Sequence, residues 1–420
     1  MKFPRSIFTA AALVMVIYAL AAAGGKTASA FHNGGVGYCE GCHTMHNNFV
    51  TPGASNATVA GGLPAGVAGQ AANTYLLQGS DASSTCLNCH SKSPISVLTT
   101  DGSAFTPGGD FFWLTEDVTY TPQAGGVSLQ PVTVLGQEHG HNIIAADFGL
   151  TADTSLTVAP GSTIRYPASA LACNSCHDPH GRANGGSLAG QEAIVESGSY
   201  GLAVPSGYQA GNYRLLGDRF YTGNHEFLMT FAYNAPMAVS VPPPFTETYD
   251  NLRHTDYGYG MSEWCANCHD KFLNSTNGTA ALHRHPAGIS AVFARGIADN
   301  YNSYVKSGDF SGNSNNSYLS LVPFERGLGA VLSNTSTAGP ATSPPANAMC
   351  LSCHRAHASA FPEMTRWDTQ AEFLAQSHPA NTGDRVTHVF VNNAPYYGRD
   401  IAALYGTYQR SLCNKCHGQD

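Results

Sequence analysis

The sequence predicts a mostly irregular, coil-rich fold with short helices and minor β structure, and three observations carry that expectation. The 420-residue chain contains 45 Gly and 23 Pro, about one residue in six, so long uninterrupted helices or strands have little room to form. Only 11% of residues are charged against 43% apolar, which excludes both a disordered tail and a solvated helical bundle. All 12 cysteines fall in six copies of one pattern, Cys-x-x-Cys-His, with none left over.

Residues 1–30 open with Lys2 and Arg5, continue in an apolar run from Ile7 to Ala23 and end in Ala28-Ser29-Ala30 before Phe31. This order is that of a secretory signal peptide, cleaved after Ala30. The competing reading is an uncleaved membrane anchor, since the run reaches the low end of a spanning helix. Cys39 is the first cysteine, which excludes a lipid-modified cysteine at the start of the mature chain, and no later segment is apolar enough to span a bilayer. Loss of Lys2, Arg5 and Lys26 with the leader moves the net charge from −8 to −11, an acidic balance with no nucleic-acid footprint. Residues 31–420 are read as one domain.

The six motifs are Cys39/Cys42/His43, Cys86/Cys89/His90, Cys173/Cys176/His177, Cys265/Cys268/His269, Cys350/Cys353/His354 and Cys413/Cys416/His417. A disulfide framework is the bland reading of an exported cysteine-rich chain, but a disulfide has no use for a histidine directly after its second cysteine. Six separate three-ligand zinc sites of identical spacing would be an odd zinc protein. The pattern is the c-type haem attachment signature, in which two thioethers fix the porphyrin edge and the following histidine ligates iron. The expectation is six covalently attached c-type haems.

A second axial ligand separates an electron carrier from an enzyme, because an iron with an open side binds small molecules. Of 18 histidines, six belong to the motifs, so twelve remain for six irons: His32, His46, His139, His141, His180, His225, His254, His283, His285, His357, His378 and His388. This supply favours bis-histidine iron. His46, His180 and His357 each lie three residues after a motif histidine, too close to reach the far face of the same iron, so each is expected to ligate a different haem.

The motifs start at unequal intervals, which excludes a solenoid-type sequence repeat. Residues 31–420 shared among six motifs leave about 65 residues each, so the haems are expected to form much of the apolar core with most of the chain's 42 aromatic residues packed around them. Residues 107–136, around Phe111-Phe112-Trp113 and Val127 to Val132, read as a small hairpin weakened by Pro131. Ile289, Val292, Phe293 and Ile297 fit a helical face, and Trp367–Gln376 fits a second short helix. Residues 311–317 read as a solvent loop, and Tyr396-Tyr397 as ordinary packing.

The segments Phe31 to Val36, Cys39 to His46, Gly140 to Ile143, Cys173 to His180, Gly260 to His269, Arg284 to Gly288, Cys350 to Ala358 and Tyr408 to His417 resemble the OmcS family, the outer-surface hexahaem c-type cytochromes of metal-reducing bacteria. The matches run from one end of the mature chain to the other and extend well outside the haem motifs. The resemblance implies a secreted cytochrome that polymerises into extracellular filaments and passes electrons to metal oxides, electrodes or partner cells, with other cytochromes as partners. It implies bis-histidine iron throughout, with His32, His46, His141, His180, His285 and His357 as the second ligands. It also implies that His46 crosses the subunit boundary to pair with His354 of a neighbour. The stretches 91–138, 201–250 and 325–347 show little likeness. The six histidines outside the matching segments are read as surface or propionate-contacting groups, and His139 and His283 lie two residues from a favoured ligand.

Three functions are compatible with the sequence. A conductive filament subunit leads, followed by a soluble periplasmic shuttle of the same haem content. A multihaem reductase of nitrite or a similar oxyanion needs one iron without a second ligand and usually a modified motif, and all six motifs here have the same form.

Overall fold

The longest regular elements are two helices of nine residues, in a computed structural model that describes residues 39–43, 74–92, 96–120, 123–124, 127–128, 130–179, 213–224, 226–240, 249–273, 285–332, 334–376 and 391–418. Among the described residues the α-helices are α1 (Cys39–Cys42), α2 (Ala82–His90), α3 (Met261–Cys265), α4 (Asp270–Leu273), α5 (Arg295–Ser303) and α6 (Ile401–Tyr405), joined by loops and single 3-10 turns. Side-chain caps fix where they begin. The Asp81 carboxylate accepts from Ser84 N at 2.7 Å to start α2, and Asp400 accepts from Ala403 N at 2.9 Å to start α6. The leader, residues 1–30, lies outside the described residues, and no described helix is long and apolar enough to cross a membrane.

The β structure is three two-stranded antiparallel pairs. β1 (Val118–Tyr120) pairs with β4 (Val132–Val134), and the short β2 (Gln123–Ala124) and β3 (Val127–Ser128) continue the same hairpin towards its tip. β5 (Met237–Ser240) pairs with β6 (Thr255–Tyr259). An isolated ribbon is marginal in water. Each one is held by buried residues, Val118 opposite Val134 in the first and Val239 and Tyr257 in the second. The hairpin expected within 107–136 is therefore present, but Phe111–Thr115 forms a 3-10 turn capped by Asp110 rather than a strand.

Two helical expectations are corrected. α5 begins only at Arg295 and buries Ala298 and Tyr301, whereas residues 289–293 are tied sideways to residues 346–348. Gly288 N donates to Ala348 O and Phe293 N to Ala346 O, which takes the backbone out of any helical pattern. In 367–376 only Leu374–Gln376 makes a 3-10 turn. The Asp368 carboxylate accepts from Gln370 N and Ala371 N, and that local turn competes with a helix.

The core is aromatic and lies in patches. The largest gathers Trp113, Tyr301, Phe324, Phe361, Trp367 and Tyr396; the others centre on Tyr257 with Met261 and Met349, and on Tyr166 with Tyr221 and Phe231. Tyr396 and Tyr397 are buried in the first patch, and residues 311–316 form an open loop.

Candidate functional site

The motif spacing has a direct structural cause. His177 N donates to Cys173 O, His269 N to Cys265 O, His354 N to Cys350 O and His417 N to Cys413 O, at 2.9–3.0 Å, so each motif is one helical turn. Positions i, i+3 and i+4 share a helix face, which turns two sulfurs and an imidazole to the same side. None of the eleven described cysteine side chains is in a disulfide. Among the described residues no group of three or more His, Cys, Asp or Glu side chains converges as metal ligands.

The histidines instead meet in facing pairs. Ring centroids lie 6.0 Å apart for His141 and His269, 6.3 Å for His177 and His357, and 5.9 Å for His285 and His417. An imidazole nitrogen sits about 2 Å from a bound metal. With about 1 Å more from nitrogen to ring centre on each side, two imidazoles across one iron would be about 6 Å apart, as observed.

Backbone carbonyls orient these rings. His141 Nδ1 donates to Ala356 O at 2.8 Å, His269 Nδ1 to Pro160 O at 2.8 Å and His285 Nδ1 to Pro286 O at 2.8 Å. A carbonyl only accepts, so Nδ1 carries the proton and Nε2 keeps its lone pair for a metal. Burial lowers the pKa of His357 to about 3, with His177 adding to the effect, and that of His141 to about 4, with His269 adding. These rings are neutral at physiological pH.

The first, third and fifth motifs share one further device. His43 Nδ1 donates to Tyr75 O at 2.9 Å, His177 Nδ1 to Arg214 O at 2.8 Å and His354 Nδ1 to Glu363 O at 2.7 Å. In every case the carbonyl belongs to the first of two consecutive left-handed residues: Tyr75-Leu76 (φ 65° and 56°), Arg214-Leu215 (52° and 56°) and Glu363-Met364 (58° and 58°). A single bridge then pairs the histidine with the residue that follows the pair, His43 with Leu77, His177 with Leu216 and His354 with Thr365. Non-glycine residues at positive φ are uncommon. Three such pairs in the same relation to a motif histidine mark a repeated cradle.

The junctions between motifs also repeat. Ser83 Oγ accepts from Cys173 N and Ser262 Oγ from Cys350 N, both at 3.0 Å, and each serine lies three residues before the first cysteine of an even-numbered motif. The thiols of Cys86 and Cys173 touch, as do those of Cys265 and Cys350, so attachment points of successive motifs adjoin. Gly109 (φ +89°) and Gly140 clasp the segment carrying His357; a Cβ would collide with Ala358 O at the first and with His357 O at the second. His141 N donates to His357 O at 2.9 Å, which sets two second ligands side by side.

One cavity of about 2150 Å³ runs along these groups and touches residues of the first five motifs together with His141, His285 and His357. Pockets for a single small ligand measure roughly 300–1,000 Å³, so this space suits several large apolar groups.

No family model matches the chain. The C-type cytochrome OmcS of Geobacter sulfurreducens is 42% identical over 438 residues, covering 94% of this chain and 95% of the relative. The chain belongs to the OmcS family of c-type cytochromes. Like OmcS it is an electron-transfer protein carrying covalently bound haem c, not an enzyme. The cryo-EM structure of the OmcS nanowires from Geobacter sulfurreducens superposes with a TM-score of 0.73 at 40% identity, covering 93% of this chain and 100% of that one. A structure of the outer membrane cytochrome S filament from the same organism gives 0.67 at 36% identity, again over 93% and 100%. The coil-rich OmcS fold is thus the fold of this chain.

His141, His285 and His357 each face a motif histidine, whereas His32, His46 and His180 lie outside the described residues, as do His225, His283, His378 and His388. His139 and His254 are not surface groups: both are buried, His139 beside Trp113 and His254 stacked on Tyr318 at 3.9 Å. Neighbouring sequence alone does not reveal that His139 and His254 turn inward. Sequence reasoning missed the carbonyl cradles, which leave no side-chain signature. It also missed Ser83 and Ser262, whose shared Ser-x-x-Cys spacing is legible once the junction is known.

Proposed function

We propose that this chain, exported by its leader 1–30 and loaded with six haems, is the repeating subunit of an extracellular electron-conducting filament. Bound in the motifs, each haem supplies a one-electron iron couple. The protein's part is to close both axial sides with imidazole, hold Nδ1–H on carbonyls and wall the rings off with aromatic residues. A facing pair leaves no side open to a small oxyanion, which argues against a reductase at those three positions.

One observation carries the reading: the facing pairs follow an offset. His357, the trailing histidine of the fifth motif, faces the third motif. His141, before the third motif, faces the fourth, and His285, before the fifth, faces the sixth. Extending the offset assigns His180 to His43 and His32 to His90. His46, the trailing histidine of the first motif, then has no motif two places earlier in its own chain. Continued into a neighbouring copy, the offset pairs His46 with His354, so the subunit is complete only in a polymer. The solved OmcS structures that resemble this chain are filaments, which supports the same reading. Other cytochromes and metal oxides are the proposed electron partners at the cell surface.

The test is electron cryo-microscopy of the native protein at a resolution that resolves each iron. Filaments in which the iron at His354 takes its second imidazole from another subunit are expected. Monomers with six irons saturated from within one chain would overturn the proposal.

A further inference from the structure

We infer that Arg355, Arg366 and Arg399, with the hydroxyl of Tyr249, form a buried binding site for a haem propionate carboxylate. The inference rests on the haem loading proposed above.

Arg355 is 2% exposed, Arg366 0% and Tyr249 2%, while Arg399 is half-buried. The three guanidiniums share neighbours. Ser320 accepts from Arg366 Nη1 through its carbonyl at 3.3 Å and from Arg399 Nη2 through Oγ at 2.6 Å. The Tyr397 ring lies 3.9 Å from Arg355 Cζ and 5.9 Å from Arg399 Cζ, and the Tyr249 ring packs on it at 4.7 Å. Their remaining partners are backbone carbonyls: Pro395 for Arg355, Leu351 and His354 for Arg366, and Tyr249 for Arg399. Among the described residues no carboxylate hydrogen-bonds to any of the three, and Asp250, whose charge reaches Arg399, is bound to Arg253 at 2.7 Å.

Arg355 Nε, Arg366 Nη2, Arg399 Nη1 and Tyr249 OH are all buried donors without a partner. Clustered cations withdrawn from water repel one another and lose hydration, and unpaired buried donors add to that cost. An anion accepting from them removes both penalties, and guanidinium groups match a carboxylate in a forked geometry. Arg355 and Tyr249 also line the large cavity, so the site opens to where the haems are proposed to lie.

Propionates are the carboxylates a haem brings with it, and they sit at the ring edge opposite the thioethers. Arg366 grips the attachment loop of the fifth motif, where the thioether edge of that haem would be held, so its own propionates would lie on the far side from the cluster. Arg355 Cδ packs against Gly109, close to Phe111, whose ring stacks on His357 at 4.7 Å. A haem held between His177 and His357 would therefore be the one in reach. Positive charge beside a haem favours its reduced state, so these arginines would raise that haem's potential.

Spectroelectrochemical titration of the haem-loaded protein tests the site. In Arg399→Gln the reduced-to-oxidised ratio of one haem is expected to fall about tenfold at fixed potential, ~59 mV for one electron, with the other five unchanged. Arg399→Lys, which keeps the charge, restores most of it, a rescue that a purely structural arginine would not give. Arg355→Gln is expected to move the same haem; should it fail to load haem, the partly exposed Arg399 decides. A folded, fully loaded Arg399→Gln protein with every potential unmoved would overturn the site. So would a wild-type potential that shifts with added inorganic phosphate and loses that response in Arg399→Gln, the mark of a free-anion site. Filaments are scored separately by electron microscopy, so their absence tells against the proposed function while the potentials alone judge the arginines.

Discussion

His357 faces His177 across 6.3 Å, the trailing histidine of one motif opposite the leading histidine of another. If an iron lies between them, His357→Ala opens one axial side. The variant is expected to hold five low-spin haems and one high-spin haem and to bind one carbon monoxide per chain when reduced, while the wild type binds none. Optical and electron paramagnetic resonance spectra read both. An all-low-spin variant would separate the facing pair from axial ligation.

His46→Ala is expected to give folded, haem-loaded monomers without filaments, with one high-spin centre at the iron of His354. Electron microscopy and spin-state spectra check this together. Unchanged filaments would remove the cross-subunit ligand.

Ser83 and Ser262 each accept a backbone N–H at a junction between motifs, and both side chains are buried. Alanine leaves Cys173 N or Cys350 N without its acceptor, at a cost of about 1 kcal/mol each. The two junctions share no partner, so the double variant should lose about twice as much. Thermal unfolding of the loaded protein measures it; strong non-additivity would mean that the junctions are coupled.

Glu325 is wholly buried, accepting from Met261 N at 2.7 Å and from Asn347 Nδ2. Burial raises its carboxyl from 4.5 to about 7. Between those values the folded chain holds a proton that the unfolded chain has released, so the stability contributed here falls as pH rises from about 4.5 to 7 and levels off above. Glu325→Gln keeps an acceptor for Met261 N and offers its amide to Asn347 Oδ1, which is buried without a partner. The variant should gain about 1–3 kcal/mol at pH 8 and little at pH 4. Unfolding temperatures at the two pH values check the sign.

What the sequence made legible is the covalent chemistry. Thioether attachment demands two cysteines and a histidine on one helical turn, and that demand is written in side chains. The second ligands were legible as a supply of histidines, but which ring meets which depends on contacts such as the clasp of Gly109 and Gly140 on the His357 segment, far apart in sequence. The apolar spacing of Ile289 to Ile297 misled because backbone bonds to Ala346 and Ala348, not a helix, set that segment. The arginine cluster was illegible for another reason: among the described residues Arg355, Arg366 and Arg399 hydrogen-bond to no acid.

The carbonyls that steer His43, His177 and His354 come from Tyr75, Arg214 and Glu363, an aromatic, a cation and an anion. Nothing about those side chains is needed for the contact, because the main chain makes it. Evolution is therefore at liberty to repaint the exterior at these sites, trading one charge for another, while the aim of the imidazoles is preserved in torsion angles that no alphabet records.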